Sequence, residues 1–385
     1  MTMLLCQKDK FQLPSDLIYL NGAYMSPNLT TVEAAGVQGV RQKSIPSTIP
    51  STQFFEPVKR AKKSFAQLIS ADDFNRISII PSVSYGMAIA AKNSKLESGD
   101  EVLMIEEQFP SNYYCWDFET KKVGASIKIV SAPDSESRGE DWNARILEAI
   151  TPKTKVVTLP IVHWSDGTLF NIRQLSQKAH DCGALMIIDG TQSIGAMPFS
   201  LSDIKIDALI CAAYKWLLGP YSIGCAYFGE AFDVGDPIEF SWMNRLNSED
   251  FTGLVNYQSE YKELAHRYDM GQACNFVAIP MLNESLIQIN EWTPEAIQSY
   301  CQSITSHMMD QLSNHEFAIE DPQFRSQHLF GIRLHDTNQL EEFKSRFKEQ
   351  NIVVSFRGDC IRVSPNVYNT KDDIDRLISV LNSLE

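Results

Sequence analysis

Residues 208–220 read ALICAAYKWLLGP and place a lysine, Lys215, directly after a short apolar run. Such a run is typical of a buried strand, so Lys215 is predicted to lie at the mouth of that strand. Aromatic and small apolar neighbours remove the hydration that favours an ammonium group, which lowers the pKa of the lysine. An amine in that state can condense with a carbonyl group. The alternative for Lys215 alone is a strand-end lysine whose ammonium extends to solvent.

The sequence on either side of this run alternates short apolar stretches with helical stretches, as expected for βαβ units and a largely parallel sheet. Seven strands are predicted at Ile77–Ile80, Glu101–Ile105, Ser126–Val130, Val156–Pro160, Leu185–Ile188, Ala208–Cys211 and Cys225–Phe228. Helices are predicted between them at Phe54–Ile69, Tyr85–Asn93, Asn112–Val123 and Asn171–Cys182. Because ligands of such sheets bind at the carboxyl ends of the strands, the chemistry is expected just after them.

The remainder of the chain has a different pattern. From Phe232 to Arg267 the sequence is irregular and polar, which predicts a long surface segment that crosses toward the site or a partner subunit. The elements predicted beyond it are helices Asn275–Trp292, Glu295–Leu312, Asn338–Glu349 and Lys371–Leu384 and strands Leu329–Leu334, Ile352–Phe356 and Cys360–Ser364. We predict a large domain of residues 20–255 and a small α+β domain of residues 1–19 and 256–385.

Composition narrows the class of protein. With 44% hydrophobic and 21% charged residues, the 385-residue chain can bury a large core. A net charge of -14 argues against a nucleic-acid binder, and no apolar run is long enough to predict a membrane span or a signal peptide. The eight cysteines show no CxxC pairing and the histidines no metal-binding spacing. We therefore expect a cytoplasmic protein with reduced thiols and no metal site.

A carboxylate upstream of Lys215 gives the lysine a chemical context. Asp189 ends the apolar part of IIDGTQ at residues 187–192, with one αβ unit between it and Lys215. Pyridoxal phosphate (PLP) requires both a Schiff-base lysine and a carboxylate for its pyridine nitrogen. A helix cap or a solvated loop residue is the alternative for Asp189.

Several motifs in fixed order carry a family resemblance. They are DGTQ at 189–192, Asp207, YKWLLGP at 214–220, Gly224, IRVSP at 361–365 and YNT at 368–370. Together they resemble the class V aminotransferases of PLP fold type I, a group that includes cysteine desulfurases, kynureninase and enzymes similar to isopenicillin N epimerase. The resemblance extends from Tyr19 to Leu384. It implies an α/β PLP-dependent transferase fold, with a mostly parallel seven-stranded sheet in the large domain and a small α+β C-terminal domain.

The resemblance also implies roles around the cofactor. Lys215 would be the Schiff-base lysine and the proton shuttle, and Asp189 would pair with the pyridine nitrogen. Gln192 matches the residue that contacts the phenolic oxygen of PLP, and Phe109 matches an aromatic residue that stacks on the pyridine ring.

The phosphate of the cofactor needs amide donors and a helix N-terminus. SVSYG at residues 82–86 offers that arrangement between a strand and a helix, although a generic N-cap would look the same. The resemblance assigns Ser84 and the Val83 amide to the phosphate, with the Tyr214 hydroxyl as a further donor. Gln272 stands where a threonine of the neighbouring subunit usually reaches the phosphate, so a homodimer is expected.

The resemblance places the substrate near the C-terminus of the chain. Arg362 matches the arginine that binds the α-carboxylate, for which its planar fork is well suited, and Asn21 is assigned to the same substrate site. Ala212 stands where many members carry a phosphate-binding serine. The roles of His163, Ser165 and Asp166 stay open, with His163 interpreted as a packed loop residue.

The pattern favours an aminotransferase that acts on a small amino acid or amine. A lyase, an epimerase and a cysteine desulfurase on the same scaffold are the alternatives. Desulfuration ranks low because Cys360 lies within a predicted strand, two residues from Arg362, and not on a flexible loop. A non-catalytic scaffold with this fold is a further alternative, although it has no need for Lys215, Asp189 and Arg362 together.

Overall fold

The computed structural model describes residues 4–312 and 317–383. Its strands are β1 (Ile18–Tyr19), β2 (Ile77–Ile80), β3 (Glu101–Ile105), β4 (Ser126–Val130), β5 (Thr154–Pro160), β6 (Leu185–Asp189), β7 (Ala208–Ala212), β8 (Gly224–Phe228), β9 (Phe317–Ile319), β10 (Phe330–Leu334), β11 (Ile352–Val353), β12 (Ser355–Arg357) and β13 (Cys360–Val363). Its α-helices are α1 (Thr30–Gln42), α2 (Glu56–Leu68), α3 (Val83–Asn93), α4 (Pro110–Val123), α5 (Arg138–Ala149), α6 (Ile172–Asp181), α7 (Ala278–Trp292), α8 (Pro294–Thr305), α9 (Met308–Gln311), α10 (Leu340–Glu349) and α11 (Lys371–Leu381).

The central sheet has seven strands in the order β2-β8-β7-β6-β5-β3-β4. Strand β8 is antiparallel to β2 and β7, and every other pair is parallel. The predicted mostly parallel sheet is therefore confirmed, and each of its strands lies within two residues of the predicted bounds. Strand β7 is fully buried, as its continuous apolar sequence requires in a sheet covered on both faces.

Register brings three strand ends together at one edge of the sheet. Asp189, the last residue of β6, lies opposite Pro160 of β5 and Ile210 of β7. The segments after these strands therefore open at the same place, which is where parallel α/β sheets bind ligands. The site is built there.

Local sequence explains where the helices begin and end. Helix α3 starts at Val83, two residues before the predicted start, because the Ser82 hydroxyl accepts a hydrogen bond from the Tyr85 amide at 3.2 Å. Helix α6 ends before Gly183, which has a positive φ of 77°. The predicted helix Glu295–Leu312 is divided into α8 and α9, and α1 and α5 were not predicted.

A smaller antiparallel sheet lies in the C-terminal part, in the order β12-β13-β10-β9. The prediction of one strand at Ile352–Phe356 is wrong. Residues 352–353 pair in parallel with β1, whereas 355–357 pair with β13, so one extended stretch serves two sheets and breaks at Val354. Helix α11 ends at Leu381, and Leu384 of the predicted helix lies outside the described residues.

The segment from 232 to 267 contains short 3₁₀ turns and one isolated β-bridge between Arg245 and Tyr261, in agreement with its irregular sequence. Helix α7 follows and lies beside α2, since the Asn283 and Asn290 amides donate to the Pro57 and Ser64 carbonyls, each at 3.0 Å. The division into domains at residue 255 stays a prediction. Within the described residues, no helix has the length and apolar character that a membrane crossing requires.

Candidate active site

A cavity of about 260 Å³ opens at the shared edge of β5, β6 and β7. Its lining combines residues from the N-terminus of α3, the start of α4 and the segments after these strands. The predicted residues that line it are Val83, Ser84, Phe109, Asp189, Gln192, Ala212, Tyr214 and Lys215. Residues separated by more than 130 positions in sequence therefore meet at one site, as the strand-end argument predicts.

Lys215 lies at the cavity just beyond β7 and is only 6% exposed. Burial lowers its pKa from 10.5 to about 8, Asp189 opposes this shift, and Arg362 and Arg357 lower the pKa further. The ammonium nitrogen lies 5.7 Å from the centre of the Phe109 ring and 5.5 Å from that of Tyr214. The predicted desolvated lysine among aromatic rings is thus present, and a neutral amine is accessible near physiological pH.

Asp189 presents a buried carboxylate to the same cavity. One of its oxygens, Oδ1, accepts a hydrogen bond from the Thr191 amide at 3.0 Å. Burial raises its pKa, although the Thr191 hydrogen bonds and Lys215 act in the opposite direction. A carboxylate in this condition would be stabilised by a protonated nitrogen, because no positive charge lies within 4.0 Å of it in the described part of the chain.

Gln192 is held in one orientation by its neighbours. Trp216 Nε1, which can only donate, gives its proton to Gln192 Oε1 at 2.9 Å. The amide nitrogen therefore lies on the other side and donates to the Ala23 carbonyl at 3.0 Å. An amide carries two N–H groups, so one remains for a ligand oxygen in the cavity.

The N-terminus of α3 lies at the cavity wall. Ser82, Val83 and Ser84 line the cavity there, and the two serine hydroxyls lie 3.1 Å apart. Unpaired amides and the helix dipole favour a negative group at this position. The sequence alone could not separate this arrangement from an ordinary N-cap; the structure adds a cavity beside it, and the phosphate contacts of Val83 and Ser84 stay a prediction.

Aromatic side chains surround the lysine. Phe109 lies directly before α4 and packs edge-on against Trp164, with ring centres 5.6 Å apart. The ring centres of Tyr214 and Tyr221 lie 4.6 Å apart. Burial raises the pKa of Tyr214 to about 12. Trp164 and Tyr221 were not assigned from the sequence. Their position in the sequence could have identified them, since each is an aromatic residue in a segment that joins the strands at the cavity.

Arg362 lies outside the cavity lining but close enough to influence Lys215 electrostatically. Its guanidinium, 1% exposed, donates to the Trp164 carbonyl at 2.6 Å and to the Ser355 hydroxyl at 3.2 Å, while Nε is buried without a partner. Burial is the main cause that lowers the pKa of Arg362 to about 10, and the nearby Arg357 cation is the second. Asn21 accepts from the Ser355 hydroxyl at 2.6 Å, so Asn21 and Arg362 belong to one hydrogen-bonded chain.

Asp166 organises the loop after β5. Burial opposes its charged form, but His163, Arg333 and Arg138 together hold its pKa well below the ordinary range. Its carboxylate accepts from Arg333 and, at 3.2 Å, from Arg138, and it lies 2.9 Å from His163 Nδ1. This cluster anchors the loop that carries Trp164, whose carbonyl contacts Arg362. Asp166 and the fully buried His163 therefore have a structural setting, away from the cavity lining.

Two further residues bear on the departures noted in the sequence. Gln272 is exposed, has a φ of 59° and does not line the cavity of its own chain. Cys360 is buried in β13, and burial keeps its thiol protonated by raising its pKa. All eight cysteines lie in the described ranges, and none of them lines the cavity.

The fold is that of PLP-dependent enzymes of fold type I. The class-V aminotransferase family model matches residues 47–377, so the chain belongs to that family. The buried Asp189 carboxylate, the N-terminus of α3 and the Lys215 amine fit the ring nitrogen, the phosphate and the aldehyde of PLP respectively. The protein is therefore a PLP-dependent enzyme.

Individual relatives differ in activity. The chain is 23% identical over 348 residues to isopenicillin N epimerase from Streptomyces clavuligerus, with 84% of each chain covered. It is 26% identical over 310 residues to a probable cysteine desulfurase from Halalkalibacterium halodurans, covering 76% of this chain and 71% of that protein.

Solved structures show the same fold at low identity. A lysine-to-alanine mutant of C-DES with glycine covalently linked to PLP matches with a TM-score of 0.86 at 15% identity, over 98% of this chain and 100% of that one. The apo structure of a cysteine desulfurase from Thermococcus onnurineus NA1 matches with a TM-score of 0.82 at 17% identity, over 100% and 99% of the two chains.

Proposed function

We propose that this protein is an aminotransferase that acts on a small amino acid or amine. The observation that carries the proposal is Lys215, an almost fully buried amine with a pKa of about 8 at the cavity. Such an amine can exchange protons near neutral pH, which is the property that transamination demands of the lysine.

The proposed cofactor contacts follow from the cavity lining. Asp189 binds the ring nitrogen, the N-terminus of α3 binds the phosphate through Ser84 and the Val83 amide, and Phe109 holds the ring plane. Gln192 directs its free N–H toward the phenolic oxygen. When bound, PLP supplies an electron sink for the pair of electrons released at the substrate Cα.

Lys215 carries the proposed proton transfer. Its Nζ would accept the proton from the substrate Cα and hold it for return, and PLP, when bound, would retain the amino group so that the carbon skeleton of the substrate leaves as an oxo acid. Aromatic rings on two sides limit the access of water to the proton that Nζ holds.

The cysteines support this choice over desulfuration. A persulfide-forming thiol must reach the substrate as a thiolate, and low pKa and exposure promote that reactivity. Cys360 has the opposite properties, and no other cysteine faces the cavity.

We propose Arg362 as the partner of the substrate α-carboxylate. Its guanidinium keeps three of its five N–H donors free of hydrogen-bond partners in the described residues, and no carboxylate lies within 4.0 Å. A buried cation with free donors is stabilised by an anion, and a carboxylate matches its geometry. Asn21 positions this arginine through Ser355.

We also propose a homodimer in the cytoplasm. The segment from 232 to 267 exposes large apolar side chains, including Phe240 at 74%, Val255 at 80% and Tyr257 at 97%. Contiguous exposed apolar groups are typical of an interaction surface. Gln272 then reaches the neighbouring site. A monomer that does not change with concentration in sedimentation would contradict this part of the proposal.

The experiment is a survey of amino acids with absorbance and product detection. Each amino acid is added to the holoenzyme, and the visible band of the lysine-bound cofactor is followed together with the release of oxo acid. Loss of the band with one equivalent of oxo acid per site, reversed by a second oxo acid, is the expected result. Release of sulfide or pyruvate without the pyridoxamine form, or racemisation alone, would contradict it.

Variants provide matched controls for this survey. Lys215→Ala should abolish the band, while Cys360→Ala should leave both the band and the oxo-acid yield unchanged. Arg362→Lys should raise KM for amino acids at least 10-fold, because a bidentate carboxylate contact is lost.

A further inference from the structure

A second arginine lies on the same face of the small sheet as Arg362. Strands β12 and β13 are antiparallel, with Ser355 opposite Arg362 and Arg357 opposite Cys360. Residues two apart on a strand share a face, so Arg357 projects on the side of Ser355 and lies diagonal to Arg362. The 2.6 Å hydrogen bond from Arg362 to the Trp164 carbonyl marks this side as the one that contacts the loop after β5.

Trp164 connects Arg357 to the cavity. Trp164 lines the cavity, and the Arg357 guanidinium carbon lies 5.6 Å from the centre of the Trp164 ring. Arg362 donates to the carbonyl of the same tryptophan at 2.6 Å. Both guanidinium groups are thus placed against one residue of the cavity wall, and each influences Lys215.

The positive charge at this wall is uncompensated. The hydrogen bond that Arg357 makes goes to the neighbouring Phe356 carbonyl at 2.7 Å. Across residues 4–312 and 317–383, no carboxylate lies within 4.0 Å of Arg357 or Arg362. Arg357 also lowers the pKa of Arg362, so the two cations repel one another until an anion arrives. One α-carboxylate can neutralise only one of them.

We infer that the substrate is an amino acid with a second carboxylate in its side chain, which Arg357 binds against Trp164. This inference rests on the proposed function, in which Arg362 takes the α-carboxylate. Arg357 is then the residue that selects an acidic side chain over a neutral one. Its half-buried position beside Trp164 avoids the full cost of a buried unpaired cation.

Binding of simple acids to the holoenzyme tests the inference without turnover. Succinate and butyrate have the same carbon count, but only succinate carries two carboxylates. Titration calorimetry should give at least a 10-fold tighter Kd for succinate, as expected for charge-assisted hydrogen bonds to the second carboxylate. Equal affinities, or no binding of either acid, would overturn the inference.

Variants locate the effect. Arg357→Gln should reduce the succinate preference to about twofold or less while the butyrate Kd stays unchanged, and Arg357→Lys should retain part of the preference. Arg145→Gln is the matched control, because Arg145 is an exposed arginine that donates only to a backbone carbonyl. A succinate preference that survives in Arg357→Gln would overturn the role of Arg357.

Kinetics separate this inference from the proposed function. With aspartate compared with asparagine, and glutamate with glutamine, the wild-type enzyme should favour the acid by 10-fold or more in kcat/KM. If these acids react preferentially but release no oxo acid, transamination fails while the specificity holds. If oxo acid forms from neutral and acidic amino acids equally, the specificity fails while transamination holds.

Discussion

The buried charge of Lys215 should make the PLP-free protein less stable than a variant without it. Lys215→Met removes the ammonium and keeps a chain of similar length. Since burial lowers the pKa of Lys215 from 10.5 in the unfolded chain to about 8 in the folded protein, the unfolded state binds the proton more tightly. The penalty on folding is therefore complete below about pH 8 and declines as pH rises toward 10.5.

The size of the penalty follows from these two pKa values. The difference between 10.5 and about 8 corresponds to about 3 kcal/mol in the free energy of unfolding at pH 6.5. At pH 9.5 the folded lysine has lost most of its protons, and about 1.4 kcal/mol remains. Because the side chain is 6% exposed, solvent screening reduces these values little. The melting temperature of the PLP-free variant should exceed that of wild type by on the order of 4 °C at pH 6.5.

Thermal unfolding of the PLP-free proteins at pH 6.5 and 9.5 measures the effect. Lys153→Met serves as the control, because Lys153 is exposed in a turn and its replacement should not change the difference between the two pH values. A variant no more stable than wild type at pH 6.5, or a gain that does not shrink at pH 9.5, would refute the assignment of a desolvated lysine.

Three further substitutions test neighbouring parts of the site. Asp189→Asn removes the charge that raises the pKa of Lys215, so the pH midpoint for capture of PLP should move lower. An unchanged or higher midpoint would contradict the electrostatic effect of Asp189 on Lys215. Cys360→Ala should retain most of the turnover and lose about 1 kcal/mol of stability in urea titrations, whereas complete inactivation would reopen desulfuration. Asp166→Asn should cost roughly 3–5 kcal/mol of unfolding free energy, since two arginine partners lose their carboxylate, and a neutral result would exclude the anchoring role.

The central sheet could be predicted because each strand is a short apolar run with helical sequence on either side. Burial on both faces imposes that pattern, and it gave all seven strands within two residues. The small sheet was harder to predict from the sequence. Val354 interrupts what appears in the sequence as a single β-rich run, and only the pairing of Ile352–Val353 with Ile18–Tyr19 explains the break. A partner more than 300 positions away leaves no local signal.

The candidate site divides in the same way. Lys215 and Asp189 could be identified from the sequence because each lies at the end of a strand and each supplies a group that PLP requires. The sequence did not reveal the importance of Trp164, Asp166 and Arg357, because it depends on contacts between the loop after β5 and the small sheet. Arg357 lies in a short hairpin whose turn contains Gly358 with a φ of 59°, and from the sequence it resembles any charged residue near a turn.

The hydrogen bond between Ser355 and Asn21 spans 334 positions in the chain, and it has a consequence for biosynthesis. Every residue that lines the cavity precedes residue 224, whereas the arginine that would hold the substrate lies at 362. Because ribosomes synthesise a chain from its N-terminus, domains fold in that order during translation. Synthesis thus delivers the residues that line the cofactor cavity well before the arginine that would hold a substrate.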